Sequence, residues 1–157
     1  MKKYLLFLLT ILSISLAGCS VDDDYCGNGF YKSDQLPPKG NFHPDNFRVM
    51  GLDHNNFTVI KSEREFQDRV RGAQFYRNEI NFRDYELIIG EALVDRHNNI
   101  IDIVTMYKES CNSRGDNLLE VEFFVNKGLN NSIMTYHTIV PRTRSDYYAV
   151  RTSVRYK

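Results

Sequence analysis

The chain has 157 residues in which 20 Lys and Arg face 20 Asp and Glu, so no global field draws it to nucleic acid or to an anionic surface. Ten Phe and ten Tyr against nine Gly and four Pro suit half-buried pleated surfaces. The length allows one domain with a real core and is too short for two, and no internal repeat or low-complexity tract interrupts it.

Residues 1–18 read as a signal peptide: Lys2 and Lys3, an apolar stretch from Tyr4 to Leu16, then small residues. The apolar stretch is shorter than the roughly 20 residues needed to cross the hydrocarbon core. Cleavage is therefore expected rather than a permanent span. Leu16-Ala17-Gly18-Cys19 resembles the lipobox of bacterial lipoproteins, which implies acylation of the Cys19 thiol and cutting before it. An ordinary secretory signal would prefer small residues of the A-x-A kind. Two or three acyl chains, at about 0.8 kcal/mol per buried methylene, hold a protein durably where one does not. Loss of Lys2 and Lys3 leaves 18 basic residues against 20 acidic, a net charge of about minus two.

Ser20-Val21-Asp22-Asp23-Asp24 is acidic and poor in apolar residues, so it reads as a hydrated tether. It also resembles the acidic sorting signal behind the lipidated cysteine of surface-exposed lipoproteins of Bacteroidota, while Ser20 is the residue that favours the outer membrane in enteric bacteria. Both readings place the chain at the cell envelope, lipid-anchored, on the outer membrane or exposed at the surface. With Cys19 acylated, Cys26 and Cys111 are the remaining thiols of an exported protein. A bridge between them would close a loop of about 86 residues, worth about 4 to 5 kcal/mol on loop entropy. Count alone does not separate that bridge from two unpaired thiols.

Residues 19–56 are expected to form the lipidated cysteine with a leader rich in Asn, Asp, Gly and Pro, punctuated by Pro37-Pro38-Lys39-Gly40 and His43-Pro44-Asp45-Asn46. Phe30, Tyr31, Phe42, Phe47, Val49, Met50 and Leu52 supply apolar surface for its second half to dock on the domain. A single β-rich domain is expected over 57–157. Phe57-Thr58-Val59-Ile60 reads as a strand, and Ser62-Glu63-Arg64-Glu65 as a capping box opening a short helix with Phe66, Val70 and Ala73 on one face.

The rest reads as a meander. Tyr85–Val94 carries Leu87-Ile88-Ile89, buried on both faces, and a turn at 95–99 precedes a strand from Ile100 to Tyr107. After a turn at 112–117, Leu119, Val121, Phe123 and Val125 alternate with Glu120, Glu122 and Phe124. A turn at 128–132, a strand over 133–140 and a last strand over 148–156 complete the chain. The expected class is α+β, mainly β, an antiparallel meander sheet or half-open barrel with one short helix.

Phe57–Ser62 leading into a helix, Ile80-Asn81-Phe82-Arg83-Asp84-Tyr85-Glu86-Leu87-Ile88-Ile89-Gly90, and a ladder closing with Pro141 and Tyr148-Ala149-Val150 together resemble a β-domain of small Bacteroidota lipoproteins, similar to the PrcB family. The resemblance covers roughly residues 57–156. It implies binding or scaffolding for an envelope protein. Glu91-Ala92-Leu93-Val94 stands where that family carries a Gly-Gly-Tyr element, so a partner loop built on that element is not implied here.

Catalytic patterns do not emerge from the residues. His43, His54, His97 and His137 are scattered without metal-ligand spacing, and no phosphate-binding glycine loop is present. Glu120 and Glu122 share a strand face, which reads as the solvent face of an amphipathic strand rather than as an acid/base pair, since nothing in the pattern desolvates them. Asp95, Asn98 and Asn99 lack calcium-loop spacing. No cofactor, metal or catalytic residue is expected. Arg151 and Arg155 share one parity of the last strand, near Arg142, Arg144 and Lys157, so they form a basic row on its outer face. That row is the candidate binding surface for an envelope protein or an acidic glycan, although an ordinary charged strand face that discourages edge pairing is the favoured reading of it. The function these features favour is a non-catalytic, membrane-anchored binding or scaffold module. An envelope-maintenance protein and an enzyme of unrecognised type rank behind it.

Overall fold

A computed structural model of the chain describes residues 29–157. The signal segment, Cys19, the acidic run and Cys26 lie outside the described residues. The protein is mainly β, with one α-helix and an open sheet.

The packed unit begins well before Phe57. Strand β1 (Tyr31–Lys32) pairs with Tyr107 and Met106, and Leu36, Phe47 and Val49 are buried. Strand β2 (Arg48–Val49) pairs with β4 (Val70–Arg71) to form a separate two-stranded ribbon. The turn-rich leader docks because its aromatics have somewhere dry to go: Phe47 stands edge-on to Phe66 and Tyr76 at 5.7 and 5.4 Å between ring centroids.

Strand β3 (Phe57–Ile60) leads into helix α1 (Glu63–Arg69). The Ser62 hydroxyl accepts from the Glu65 N–H at 3.2 Å, while the Glu65 carboxylate reaches one residue further back than a capping box requires and accepts the Lys61 N–H at 3.0 Å. Glu65 also pairs with Arg69 at 2.5 Å. The helix is shorter than its apolar spacing suggests, since Val70 leaves it for β4 and Ala73 belongs to a 3-10 turn beyond Gly72, whose φ is +101°.

The meander expected over 85–140 is instead two long strands, β5 (Tyr85–Lys108) and β6 (Asn117–Pro141), paired as one antiparallel hairpin. The segments expected to be turns, 95–99 and 128–132, lie on opposite strands at the same level. They interrupt the ladder with register shifts between Val94 and Asp102 without reversing the chain. Asparagine side chains replace the missing ladder bonds there: the Asn131 Oδ1 accepts from the Arg96 N–H at 2.9 Å, Asn98 Nδ2 donates to the Lys127 carbonyl, and Asn126 Nδ2 donates to Asn99 Oδ1 at 2.7 Å.

The break lets the hairpin fold over on itself. Ile88, Ala92, Val94, Tyr136 and Val140 of the first half of β5 and last half of β6 share one core cluster with Ile103, Tyr107, Leu119, Val121 and Phe123 of the other halves. The opposite face of the first half, Leu87 and Ile89, packs on α1 and the docked leader in a second cluster with Leu36, Phe47, Phe66 and Tyr76. The expected two-sided burial of Leu87-Ile88-Ile89 thus has two cores behind it. Gly90 lies opposite Tyr136, whose ring lies so close that a Cβ at Gly90 would come within 2.1 Å of the hydroxyl oxygen.

Strand β7 (Tyr148–Tyr156) runs parallel to β6, from Asn117↔Tyr148 to Val125↔Tyr156, and departs from the antiparallel arrangement expected. Parallel neighbours usually need a crossover of a dozen residues or more. The short link 142–147 suffices here because the fold-over carries Pro141 back toward the start of its own strand. Sheet order is β1-β5-β6-β7, with β3 on the same edge of β5 as β1 but at the other end.

Candidate functional site

The outer face of the β5–β6–β7 half is built by alternation. Pairing aligns Met106, Glu120 and Arg151 in one row and Val104, Glu122 and Ser153 in the next. These side chains line a shallow concavity of about 400 Å³ together with Arg155 and Thr152. Val104 and Met106 are half-buried in it, with Phe124 half-buried farther along β6, while Arg151, Ser153 and Arg155 are exposed.

The inner parity of β7 points where the alternation places it: Tyr148, Val150 and Val154 pack against the hairpin core. Thr152 and Tyr156 share that parity and are nonetheless exposed on this edge strand, with the Tyr156 hydroxyl donating to the Asp95 carbonyl at 3.0 Å.

The four candidate arginines do not form one patch. Arg155 pairs with Glu122 at 2.8 Å and lies over the Phe124 ring at 5.4 Å, with Lys157 over the same ring at 5.9 Å. Arg151 flanks the same concavity. Arg142 is turned elsewhere, donating to the Lys61 carbonyl at 2.8 Å with its Nε 3.5 Å from Glu86. Arg144 is exposed in the link before β7. The two glutamates noted as a solvent face and the arginines noted as a basic row are therefore one surface of alternating sign. Such a surface suits a partner carrying both charges better than a polyanion.

Glu86 is 3% exposed and sits where β3, β5, β6 and β7 converge. Its carboxylate accepts from the Tyr148 hydroxyl at 2.6 Å, with Arg142 Nε at 3.5 Å and Lys61 Nζ at 3.9 Å; Lys61 also bonds Asp146. Burial, then Glu86 itself, raises the Tyr148 pKa. Two cations offset two carboxylates, so the cluster is a latch between strands rather than a free acid or base.

The histidines part company. His54 pairs with Glu91 at 3.0 Å, His97 meets the Ser132 hydroxyl at 3.1 Å, and His43 and His137 both approach Asp45. Sequence reading placed His43 and Asp45 in a turn and His137 on a distant strand, and no local spacing announces that they meet. Among the described residues no three His, Cys, Asp or Glu side chains are grouped to hold a metal ion, and no helix is long and apolar enough to cross a membrane. Cys111 is exposed in the turn after β5, whereas Cys26 lies outside the described residues. No protein family, no curated protein and no solved structure matches the chain.

Proposed function

We propose that the chain is a lipid-anchored envelope protein whose folded part is a non-catalytic binding module, and that it engages a protein partner through the outer face of β5, β6 and β7. The observation that carries this reading is the face itself. Val104, Met106 and Phe124 supply apolar area, Arg151 and Arg155 stand beside Glu120 and Glu122, and the surface is concave. Arginine and large apolar side chains around a shallow depression are what protein interfaces concentrate. The anchor rests on Leu16–Cys19 and the resemblance to small Bacteroidota lipoproteins points to the same role.

A photo-crosslinking residue in place of Ser153, on the β7 side of the face, tests the reading in cells. One discrete adduct, lost in an Arg151→Ser, Arg155→Ser background whose stability stays within about 0.5 kcal/mol per site, is the expected result. No adduct, or an adduct untouched by the arginine changes, would overturn it.

A further inference from the structure

A second concavity, about 520 Å³, lies apart from the arginine face. It is bounded by Gln35–Pro38, by His43 and Asp45 at the 3-10 turn Pro44–Asn46, by Ile100–Ile103 of β5, and by Met134 of β6. Its walls are mixed, polar at Gln35, His43, Asp45 and Asp102 and apolar along one side: Leu36 and Ile103 are buried, Ile100 and Met134 half-buried, and Ile101 is 43% exposed at the mouth. Asp45 and Asp102 are its charged groups, and no Lys or Arg is among its lining residues.

Asp45 is held in place from behind. His43 Nδ1 lies 3.1 Å from Asp45 Oδ2. His137 is 3% exposed, and its Nε2 accepts the Leu36 N–H at 3.0 Å, which fixes the proton of the neutral ring on Nδ1. That Nδ1–H faces Asp45 Oδ1 at 4.0 Å, beyond hydrogen-bond reach, and makes no hydrogen bond among the described residues. A ring kept neutral by burial leaves the carboxylate without a counter-charge on that side. Asp102 uses one oxygen on the Ile103 N–H at 2.9 Å, which leaves its other oxygen for a ligand. Two carboxylates and an apolar wall, with His43 alone to offset them, form a cavity of the size small ligands occupy.

We infer that this cleft binds a small organic cation, a protonated amine or guanidinium on an apolar stem, with its head at Asp45 and Asp102 and its stem along Ile101, Ile103 and Met134. Coulomb attraction in a partly dry cavity selects the charge, and the isoleucines select the stem.

The test is a titration of the full chain in detergent, following the isoleucine and methionine methyl resonances, with hexylammonium, hexylguanidinium and the isosteric anion hexanoate. The two cations should shift the Ile101, Ile103 and Met134 methyls saturably and hexanoate should not. Asp102→Asn, which keeps the oxygen that accepts from Ile103, should weaken cation binding about tenfold with the melting temperature unchanged, and Asp45→Asn should do the same. A peptide bearing one lysine that binds tighter than hexylammonium, with the same dependence on Asp102, would assign the cation to a protein side chain rather than a free amine. Equal shifts by hexanoate, or undiminished cation binding in the Asp102→Asn variant, would overturn the proposal.

Discussion

His137 shows how one buried residue sets a pH dependence. Burial lowers its pKa to about 4, against 6.5 for an exposed ring. Above pH 6.5 neither state of the chain binds this proton. Between 6.5 and about 4 the unfolded chain takes it up while the folded chain does not, so stability falls on acidification, by about 3 kcal/mol over the window. Asp45 works the other way, because burial raises its carboxyl and acidification relieves that cost; His43 and Asp102 face it and modify the size of the relief. His137→Gln keeps an acceptor for the Leu36 N–H without a titrating ring. Urea melts from pH 7.5 to 4.5 should show a shallower loss for this variant than for the wild type, and parallel curves would mean that His137 is not the group responsible.

At the scale of elements, what the sequence announced was local. The β3 run, the Ser62 and Glu65 cap and the parity of Val150 and Val154 depend on neighbours within a turn or a strand, and each stands in the structure much as read. Asn98, Asn99, Asn130 and Asn131 also announced a break in pairing. They could not announce its geometry, because a turn and a bend carry the same residues, and only the coincidence of two breaks on facing strands makes a bend. The parallel course of β7 follows from that bend and was equally hidden. The meeting of His43, Asp45 and His137 depends on the leader docking against β6, which no spacing reveals. Register also bears on the thiols. Tyr31 lies opposite Tyr107, Cys26 stands five residues before Tyr31, and Cys111 stands four after Tyr107 on the antiparallel partner. That arrangement supports the proposed Cys26–Cys111 bridge, which would staple the start of the folded unit to the end of β5. Denatured exported protein should then show no reactive thiol, and reduction should lower its melting temperature; two reactive thiols would exclude the bridge.

For the whole molecule, docking of the leader changes where the domain stands. Nine residues, 20–28, stand between Cys19 and Gly29, the first described residue. Ten Cα-to-Cα steps reach at most about 35 Å, and a bridge at Cys26 would shorten that reach. With the proposed lipid at Cys19, a reach of this length would keep the end of the molecule that bears β1 and the 109–116 turn near the bilayer. Leu129, 95% exposed in the 128–132 bulge, lies 12 residues farther along β6 than Asn117, roughly 40 Å away at strand rise. The outer face of β5, β6 and β7 then runs from the anchored end toward the distal one, accessible to a partner standing on the same membrane. All of this hangs on the lipid at Cys19. Labelling cells with an alkyne analogue of palmitate and comparing the wild type with Cys19→Ala tests it directly: the account predicts a labelled, membrane-partitioning wild type and an unlabelled variant that is unprocessed or released, whereas equal labelling and partition of the two would contradict it.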